Sequence, residues 1–479
     1  MNKLKKHTAC KRTVLFAGAT ALMALSPQLH AQTSVDALLN KLEQKGILTV
    51  DEAKELKTEN QQDTAADLNQ AFNSKIQMPD WVTSYKLYGD FRGRFDDELT
   101  DSPGNHTATP PLSGQDRIRL RYRLRAGLNV NLKDDMQVGF RLGSGDTGSA
   151  LSNNQTLQDN GTKKPIWVDA AFAKWTPLND GVWMLATTIG KMDQPFQVTP
   201  MEFDPDYTPE GAALQSTYKI NDNHSVGLNG AAFVLDESSG SSRDPFLVGG
   251  QALWNANWTS RIASSLGVAA FNIINKDALG LPTGGTTGLA NNPANYNPGG
   301  VPNNNQGNTR NATTGNLVYN YNPVVLSGSA TYTLDSFPLF KGKFPIKAAG
   351  EWMDNPAAPN NNVGYWIGGM LGKAGKKGTW DVSYRYQYLE ADAWYDEVVD
   401  DDNVAFYSNG SAVQPKTSWV GGTNIKGHLV KCDYSLTDSL TFSFIAYINE
   451  LIKPSQNIGA AGEPKNNAMH IMADLMWKF

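Results

Sequence analysis

The sequence predicts an all-β protein: a transmembrane antiparallel β-barrel of about 16 strands, with a short N-terminal helical segment on the periplasmic side. Three observations support this fold class. Residues 117–130 alternate arginine with apolar residues, the connections between predicted strands alternate between short and long, and the C-terminal strand is amphipathic and ends at Phe479. A period of two gives a strand two different faces, and in a membrane barrel one face contacts lipid while the other lines an aqueous lumen.

The first 31 residues have the pattern of a secretory signal peptide. A basic segment, MNKLKKHTACKR, precedes an apolar stretch at 14–25 that is too short to span a membrane, and the small residue Ala31 precedes Gln32. Cleavage after Ala31 removes five Lys and Arg residues and no acidic ones, so the formal net charge changes from −5 to −10. An acidic mature chain argues against nucleic-acid binding, and its single cysteine, Cys432, excludes an intrachain disulfide.

Residues 32–80 have a helical pattern that differs from the rest of the chain. Val35, Leu38 and Leu42 recur at helical spacing, and residues 49–52 form a capping-box pattern. We predict two short helices and a polar tether, which together form a periplasmic leader ahead of a barrel over residues 81–479. Self-association, anchoring to the cell wall and a weakly structured tail are all compatible with this segment.

Sixteen segments after Trp81 have the residue pattern of β-strands. The number of strands is predicted to within two. The alternation of residues is clear in most of them, but the inward face of 166–175 and of 182–191 is ambiguous. An even number of strands, with short turns at one end and long loops at the other, is typical of outer-membrane barrels. The predicted strands are 85–95, 117–130, 136–142, 166–175, 182–191, 211–220, 224–234, 246–258, 261–273, 324–334, 344–353, 363–372, 379–391, 423–434, 440–450 and 468–479.

The inward positions of the first three strands are strongly basic. The acidic, proline-stiffened loop MEFDPDYTPEG at 201–211 would create a transverse field if it folded into the lumen opposite these arginines. Such a field sorts solutes by charge and dipole. We therefore predict that pore lining and selectivity depend on Arg92, Arg94, Arg117, Arg119, Arg121, Arg123, Arg125 and Arg141, which face Glu202, Asp204 and Asp206.

A second acidic group follows the tyrosine-rich strand at 379–391. Its position in a long loop favours solvated surface charge, and a divalent cation that bridges lipopolysaccharide is an alternative that the sequence leaves open. The group consists of Asp392, Asp396, Glu397, Asp400, Asp401 and Asp402.

Two patterns look like chemistry but lack the context that chemistry requires. Residues 143–148, GSGDTG, match the dinucleotide fingerprint G-x-G-x-x-G, but a Ser/Asn/Gln-rich segment follows where a helix is needed, so we predict an outer loop. The mature histidines, His106, His224, His428 and His470, are far apart and have no nucleophile motif nearby. We predict no catalytic residue, no metal site and no cofactor.

Three stretches carry a resemblance to a known family. The segments RIRLRYRLRAGLNVNLKDDMQVGFRLGSGD, GKMDQPF and DPDYTPEGAAL resemble the Putative porin family of proteobacterial outer membranes, which is loosely related to the phosphate-selective porins. The leader segment SVDALLNKLEQKGILTVDEAKEL is similar to the periplasmic helical leader of that group. The resemblance implies a channel for small hydrophilic solutes, a homotrimer, and no catalytic residues to transfer.

The sequence therefore predicts an outer-membrane porin, with a cleaved signal peptide, that contacts lipid and lipopolysaccharide and allows passive diffusion of small hydrophilic solutes. Anion preference is a hypothesis at this point, because the acidic loop would offset the arginines. Two alternatives stay open. One is an adhesion or structural barrel with a closed lumen, and the other is an outer-membrane hydrolase built on a barrel.

Overall fold

The structure, a computed structural model, describes residues 79–100, 116–237, 243–279, 305–311, 316–407, 418–453 and 467–479. The predicted signal peptide and all but the last two residues of the predicted leader lie outside the described residues, as do His106 and much of the Asn/Gly-rich loop 275–322. Among the described residues, no helix has the length and apolar character that crossing a membrane would require.

Sixteen long β-strands close into an antiparallel barrel, which confirms the predicted fold class and strand count. Three short strands, β4, β15 and β16, belong to long loops, and two 3₁₀ turns lie at Asp159–Gly161 and Lys276–Ala278. The strands are β1 (Val82–Thr100), β2 (Arg117–Leu132), β3 (Met136–Gly143), β4 (Gln155–Thr156), β5 (Trp167–Asn179), β6 (Trp183–Lys191), β7 (Glu210–Lys219), β8 (His224–Val234), β9 (Phe246–Asn257), β10 (Ile262–Ile274), β11 (Val324–Leu334), β12 (Phe344–Asp354), β13 (Val363–Gly372), β14 (Trp380–Leu389), β15 (Val404–Tyr407), β16 (Ser418–Gly421), β17 (Ile425–Ser435), β18 (Leu440–Leu451) and β19 (Asn467–Lys478).

The barrel closes where the first strand pairs with the last. Asp90 lies opposite Lys478, and Thr100 lies opposite Ala468. The backbone of Phe479 extends this pairing, because Gly89 and Phe479 exchange N–H···O bonds of 2.9 and 3.1 Å. An added Cβ at Gly89 would lie 2.5 Å from the Phe479 ring, so the glycine leaves room for the terminal aromatic ring beside β1. We call this end of the barrel, with its tight turns, the short-turn end, and the other the long-loop end.

The two faces of the strands are as the alternation predicts. On β2 the outward Ile118 and Leu120 are exposed, whereas the inward Arg123 is buried. On β19 the outward Leu475 and Trp477 are exposed, whereas the inward Asp474 is 4% exposed. A wall of exposed apolar side chains around a polar interior is the arrangement of a barrel surrounded by lipid.

A β-bulge explains why the face of the segment 166–175 is ambiguous in the sequence. Arg141 pairs with Ala170, but its neighbour Leu142 pairs with Val168, so Asp169 is an extra residue on β5. Asp169 and Ala170 are both buried, which breaks the alternation of the strand. The bulge directs the Asp169 carboxylate to the Arg141 guanidinium inside the barrel.

The interior of the barrel contains its own apolar core towards the long-loop end. Two long loops fold inward: loop A (residues 192–209) and loop B (residues 390–403). Phe203 of loop A stacks edge-on against Phe271 of the wall and Trp394 of loop B, with ring centroids 5.5 and 5.7 Å apart. These side chains belong to one buried cluster that also includes Met201 and Tyr395. Burial of this cluster holds both loops inside the lumen.

Candidate functional site

One side of the lumen is formed by the inward side chains of β1, β2, β3, β5 and β19, which we call the charged wall. At its long-loop end, Asp96 and Glu98 lie beside the arginines of β2. Arg119 donates to Asp96 at 3.0 Å and to Glu98 at 2.6 Å. Arg121 donates to Asp96 at 3.2 Å, and Arg117 lies 3.9 Å from Glu98. Cross-strand pairing therefore gives these arginines carboxylate partners on the adjacent strand.

Two further arginines lie on β1 in the middle of the charged wall. Arg94 donates to both carboxylate oxygens of Asp474 at 2.8 and 2.9 Å, and its third nitrogen donates to Asp402 of loop B at 2.8 Å. Arg92 donates to the Asn154 side chain at 2.6 Å and lies 3.8 Å from Asp474. The planar fork of Arg94 thus connects the barrel wall to an inward loop.

Towards the short-turn end, arginines of the charged wall contact loop A. Asp206 lies 2.8 Å from Arg123 and 3.4 Å from Arg125. Asp90 of β1 pairs with the same two arginines at 3.0 and 2.8 Å. Arg141 pairs with Asp169 and with Asp193 of loop A. The predicted meeting of arginine strand and acidic loop is therefore present for Asp206.

The other two acidic residues predicted in this loop lie elsewhere. Asp204 accepts hydrogen bonds from the backbone N–H groups of Asp206 and Asp401 at 2.6 and 3.1 Å. Glu202 accepts from the backbone N–H of Thr199 at 2.9 Å. Neither carboxylate forms an ion pair with a described arginine of the charged wall. They hold loop A in its conformation and against loop B.

Eight arginines and eight carboxylates meet at the charged wall. The carboxylate partners in the described ion pairs are Asp90, Asp96, Glu98, Asp169, Asp193, Asp206, Asp402 and Asp474. The predicted row of arginines is therefore charge-compensated. Sequence alternation carried a signal for Asp90, Asp96 and Glu98, which share the inward face with Arg92 and Arg94 once β1 is extended to Thr100. The loop partners Asp193 and Asp402 carried no comparable signal.

Loop B overturns the interpretation of the second acidic group as solvated surface charge. Asp392, Asp396 and Glu397 are 0% exposed, and Asp400 is 5% exposed. The Asp396 carboxylate accepts the backbone N–H groups of Gln306 and Asn308 at 2.8 and 2.9 Å. The fully buried Arg310 lies 3.6 Å from Asp396 and 3.4 Å from Glu397. These partners lie more than 80 residues earlier in the chain, so only the folded structure brings them to the loop.

Loops A and B meet at a cluster of three carboxylates, Asp204, Asp400 and Asp401, whose oxygens lie within 4.8 Å of one another. Burial, and then repulsion by the two neighbouring carboxylates, raises the pKa of Asp204 well above its usual value. Burial and the nearby Asp402 raise the pKa of Asp400 to about 6. Burial, Asp402 and Asp400 likewise raise the pKa of Asp401 well above its usual value. Burial and mutual repulsion thus favour the protonated form of these three carboxyl groups more strongly than water does.

The carboxylates that reach the charged wall behave in the opposite way. Burial alone would raise the pKa of Asp206, but the guanidinium groups of Arg123, Arg92 and Arg125 lower it below its usual value. Burial would also raise the pKa of Asp402, and Arg94 lowers it well below the usual range. Both groups are therefore charged at neutral pH and remain paired.

Among the described residues, two groups of Asp, Glu and His side chains lie close enough together to hold a metal ion. One consists of Asp204, Asp400 and Asp401, and the other of Asp96, Glu98 and His470. In the second group, Arg119 and Arg121 already supply the positive charge.

Of the other histidines, His428 forms a hydrogen bond with the Tyr384 hydroxyl at 2.8 Å on the outer wall, and His224 stacks on Trp254. Gly143 ends β3, and the rest of the motif 143–148 lies in a loop that leads to the short strand β4 and not to an α-helix.

The inward side chains of β7–β11 are mostly uncharged, in contrast to those of the charged wall. We call them the neutral wall. Apart from Lys219 at the short-turn end, its described inward positions are uncharged. Its polar groups include Gln215, Thr217, Ser225, Asn229, Gln251, Asn255, Ser265, Ser327, Ser329 and Thr331. A cavity of about 340 Å³ lies between this wall and residues 194–197 of loop A. The neutral wall was not predicted from the sequence, although the alternation of residues places its Gln and Asn side chains inward.

The closed barrel with its apolar outer wall defines a transmembrane β-barrel protein. The family model described as Putative porin matches residues 54–311, more than half of the 479-residue chain, and the chain belongs to this family. The predicted resemblance is thereby confirmed. Family and fold together identify an outer-membrane channel.

The chain is similar to several solved structures. OprB of Pseudomonas putida at high pH is 11% identical, with a TM-score of 0.49, over 82% of this chain and 94% of that chain. The outer membrane channel DcaP of Acinetobacter baumannii is 11% identical, with a TM-score of 0.39, over 83% and 97%. Salmonella typhi OmpF in complex with daunomycin is 9% identical, with a TM-score of 0.43, over 82% and 97%. No curated protein matches the chain.

Proposed function

We propose that the protein is a passive porin for small hydrophilic solutes in the bacterial outer membrane, with a modest anion preference. Its exposed apolar wall contacts lipid, its long-loop end faces lipopolysaccharide, and the exported chain loses residues 1–31. A homotrimer is the proposed assembly, and an apparent mass three times that of the monomer in unheated gel samples would support it.

The anion preference depends on one observation: within most ion pairs of the charged wall, the guanidinium is the more exposed partner. The Arg119 side chain is 14% exposed, whereas its partners Asp96 and Glu98 are 0% and 4% exposed. Arg125 is 20% exposed against 13% for Asp90. In these pairs water and solutes in the lumen meet the guanidinium more than the carboxylate, although the formal charges balance. Asp193, 69% exposed against 9% for Arg141, is the main exception.

Planar-bilayer recordings test both parts of this proposal. We expect discrete conductance steps from refolded protein, and in a KCl gradient a reversal potential that shows chloride to be more permeant than potassium. A reversal potential on the potassium side would contradict the anion preference. Raising the salt concentration should weaken the preference, because ions screen the field of the wall.

One observation favours a second candidate, a barrel whose lumen is closed. Loops A and B fill part of the lumen with the buried apolar cluster around Phe203 and Trp394. If the native barrel gives no conductance, whereas a variant with loop B shortened conducts, the closed barrel is the better description. Conductance from the native chain excludes it.

A further inference from the structure

The neutral wall and loop A line an open cavity whose lining is uncharged, unlike that of the charged wall. Its volume is about 340 Å³, which falls in the range of small-molecule sites. Gln194 and Phe196 of loop A cover it, and Thr217, Asn229 and Asn255 line it from the barrel wall. No charged side chain is among the described residues that line it.

Some of the amides hold the cover in place. The Gln251 side chain accepts the backbone N–H of Gln197 at 2.9 Å and donates to its carbonyl at 2.8 Å. Gln215 donates to the carbonyl of Pro195 at 2.9 Å. These three bonds fix the backbone of loop A over the cavity, so the cavity is built by the fold and does not depend on a mobile segment.

Other polar groups remain available to a ligand. Gln194 lines the cavity, but its amide nitrogen is itself buried, so the groups that a ligand can reach come from the barrel wall. Thr217 on β7 and Asn255 on β9 contribute a hydroxyl and an amide. Amides and hydroxyls both donate and accept, so together they suit a ligand whose groups do the same.

The apolar part of the lining narrows the class of ligand further. Phe196 and Leu253 present apolar surface beside the amides. An ion placed here would lose hydration without gaining a counter-charge, which disfavours charged solutes. A compact neutral molecule that carries hydroxyl groups on a carbon framework satisfies both parts of the lining.

We propose that this cavity is a binding subsite for neutral polyhydroxyl solutes of monosaccharide size. The subsite rests on the proposed channel function, because it places such solutes on the neutral side of the lumen while ions pass along the charged wall. It makes the channel a path for two chemical classes of solute, each with its own wall.

Glucose is the probe, and two readouts separate the subsite from the channel. The first is saturable, glucose-dependent reduction of single-channel current beyond the loss of bulk conductivity. The second is saturation-transfer NMR of glucose with protein in detergent micelles, which needs no conductance. The test variant is Thr217→Val with Asn255→Leu, two nearly isosteric changes. The control is Thr331→Val on β11 of the neutral wall, outside the cavity.

We expect the double variant to weaken glucose binding by about five- to tenfold, the effect of losing one or two hydrogen bonds, and the control to bind like the native chain. Ion conduction without any specific effect of glucose, or equal binding by variant and control, overturns the subsite and leaves the channel standing. Saturation transfer that the double variant loses, from a protein that does not conduct, supports the subsite and overturns the channel. Absence of both signals overturns both.

Discussion

The charged wall and the neutral wall line the same lumen but use polar groups differently. On the charged wall, Arg94 and its neighbours meet carboxylates from adjacent strands and from both inward loops. On the neutral wall, Gln215 and Gln251 bond the backbone of loop A. Loop A is thus held by ion pairs on one side and by amide hydrogen bonds on the other, whereas loop B is tied to the charged wall through Asp402.

This difference bears on how a wide barrel carries charge in its interior. A buried charge is costly unless it is paired, so each arginine of the charged wall requires a carboxylate nearby. Pairing with carboxylates cancels most of the electric field of the arginines. Charge selectivity then depends on small differences in exposure between the two partners of each ion pair. The neutral wall has no such requirement, which leaves its amides and hydroxyls available for solutes.

The largest expected effect is the loss of stability in Arg94→Ala. The side chain is 2% exposed and pairs with Asp474 and Asp402. Its removal leaves Asp402 without its ion-pair partner and Asp474 with only Arg92, at 3.8 Å. We expect a loss of about 3–5 kcal/mol in the free energy of unfolding. Urea unfolding of the refolded barrel, followed by tryptophan fluorescence, measures it.

Gln251→Ala is the matched change on the neutral wall. It removes three neutral hydrogen bonds, two of them to Gln197, and we expect a loss of about 1–3 kcal/mol. Equal losses in the two variants would contradict the view that ion pairs hold the loops more strongly on the charged wall.

The second effect is a weakening of the contact between loops A and B as the pH rises. The pKa of Asp400 is raised to about 6, and the pKa values of Asp204 and Asp401 are raised well above the usual carboxyl value of about 4. A raised carboxyl pKa stabilises the contact below pH of about 4, and this stabilisation is lost as the pH rises through the folded values.

Several other charged groups face this cluster. Arg121 and Arg385 favour the ionised carboxylates, Tyr447 donates to Asp400, and Asp206 and Asp402 add negative charge. Asp206 and Asp402 have lowered pKa values, so they remain ionised throughout the range above pH of about 4. We expect hydrogen exchange in residues 198–206 to be roughly tenfold faster, beyond the intrinsic change, at pH 8 than at pH 5. Asp401→Asn should reduce that difference, and an unchanged difference would refute the assignment.

The barrel itself could be predicted from the sequence, because alternating apolar and polar residues show which side chains face lipid and which face water. Ile118 and Arg119 differ in polarity since they face different solvents, and every strand of the barrel repeats this rule. The rule failed locally at Asp169, where a bulge adds one residue and the face changes within a strand. Such a register shift depends on the neighbouring strand and leaves no periodic signal.

The site was less predictable because its decisive contacts are between distant segments. Asp206 was expected near the arginines and lies there, because positive charge inside a barrel stabilises the carboxylates of an acidic loop. The same reasoning placed Glu202 and Asp204 there too, although burial against loop B removes them from the wall. The acidic residues of loop B were misread because their partners, including Arg310, are distant in sequence.

The third effect is a change of charge selectivity in Asp206→Asn. This carboxylate pairs with Arg123 and Arg125, and its loss leaves the wall with one uncompensated positive charge. We expect the chloride-to-potassium permeability ratio to rise about two- to fivefold at low salt. Asn229→Asp, which adds the opposite charge to the neutral wall, should lower that ratio. Reversal potentials in a KCl gradient measure both, and shifts of the same sign would contradict the account.

The smallest effect is expected for Arg117→Ala at the long-loop rim of the charged wall. This side chain is 54% exposed and lies 3.9 Å from Glu98, whereas Arg119 on the same strand is 14% exposed and bonds both Asp96 and Glu98. An exposed pair contributes little, so we expect a loss of less than about 0.5 kcal/mol for Arg117→Ala and a clearly larger one for Arg119→Ala, measured by the same urea unfolding. Both variants remove one arginine from one face of one strand, so equal losses would mean that charge alone sets stability along the wall. A difference between them shows that the depth at which an arginine is buried decides whether it anchors the wall or only contributes to the field in the lumen.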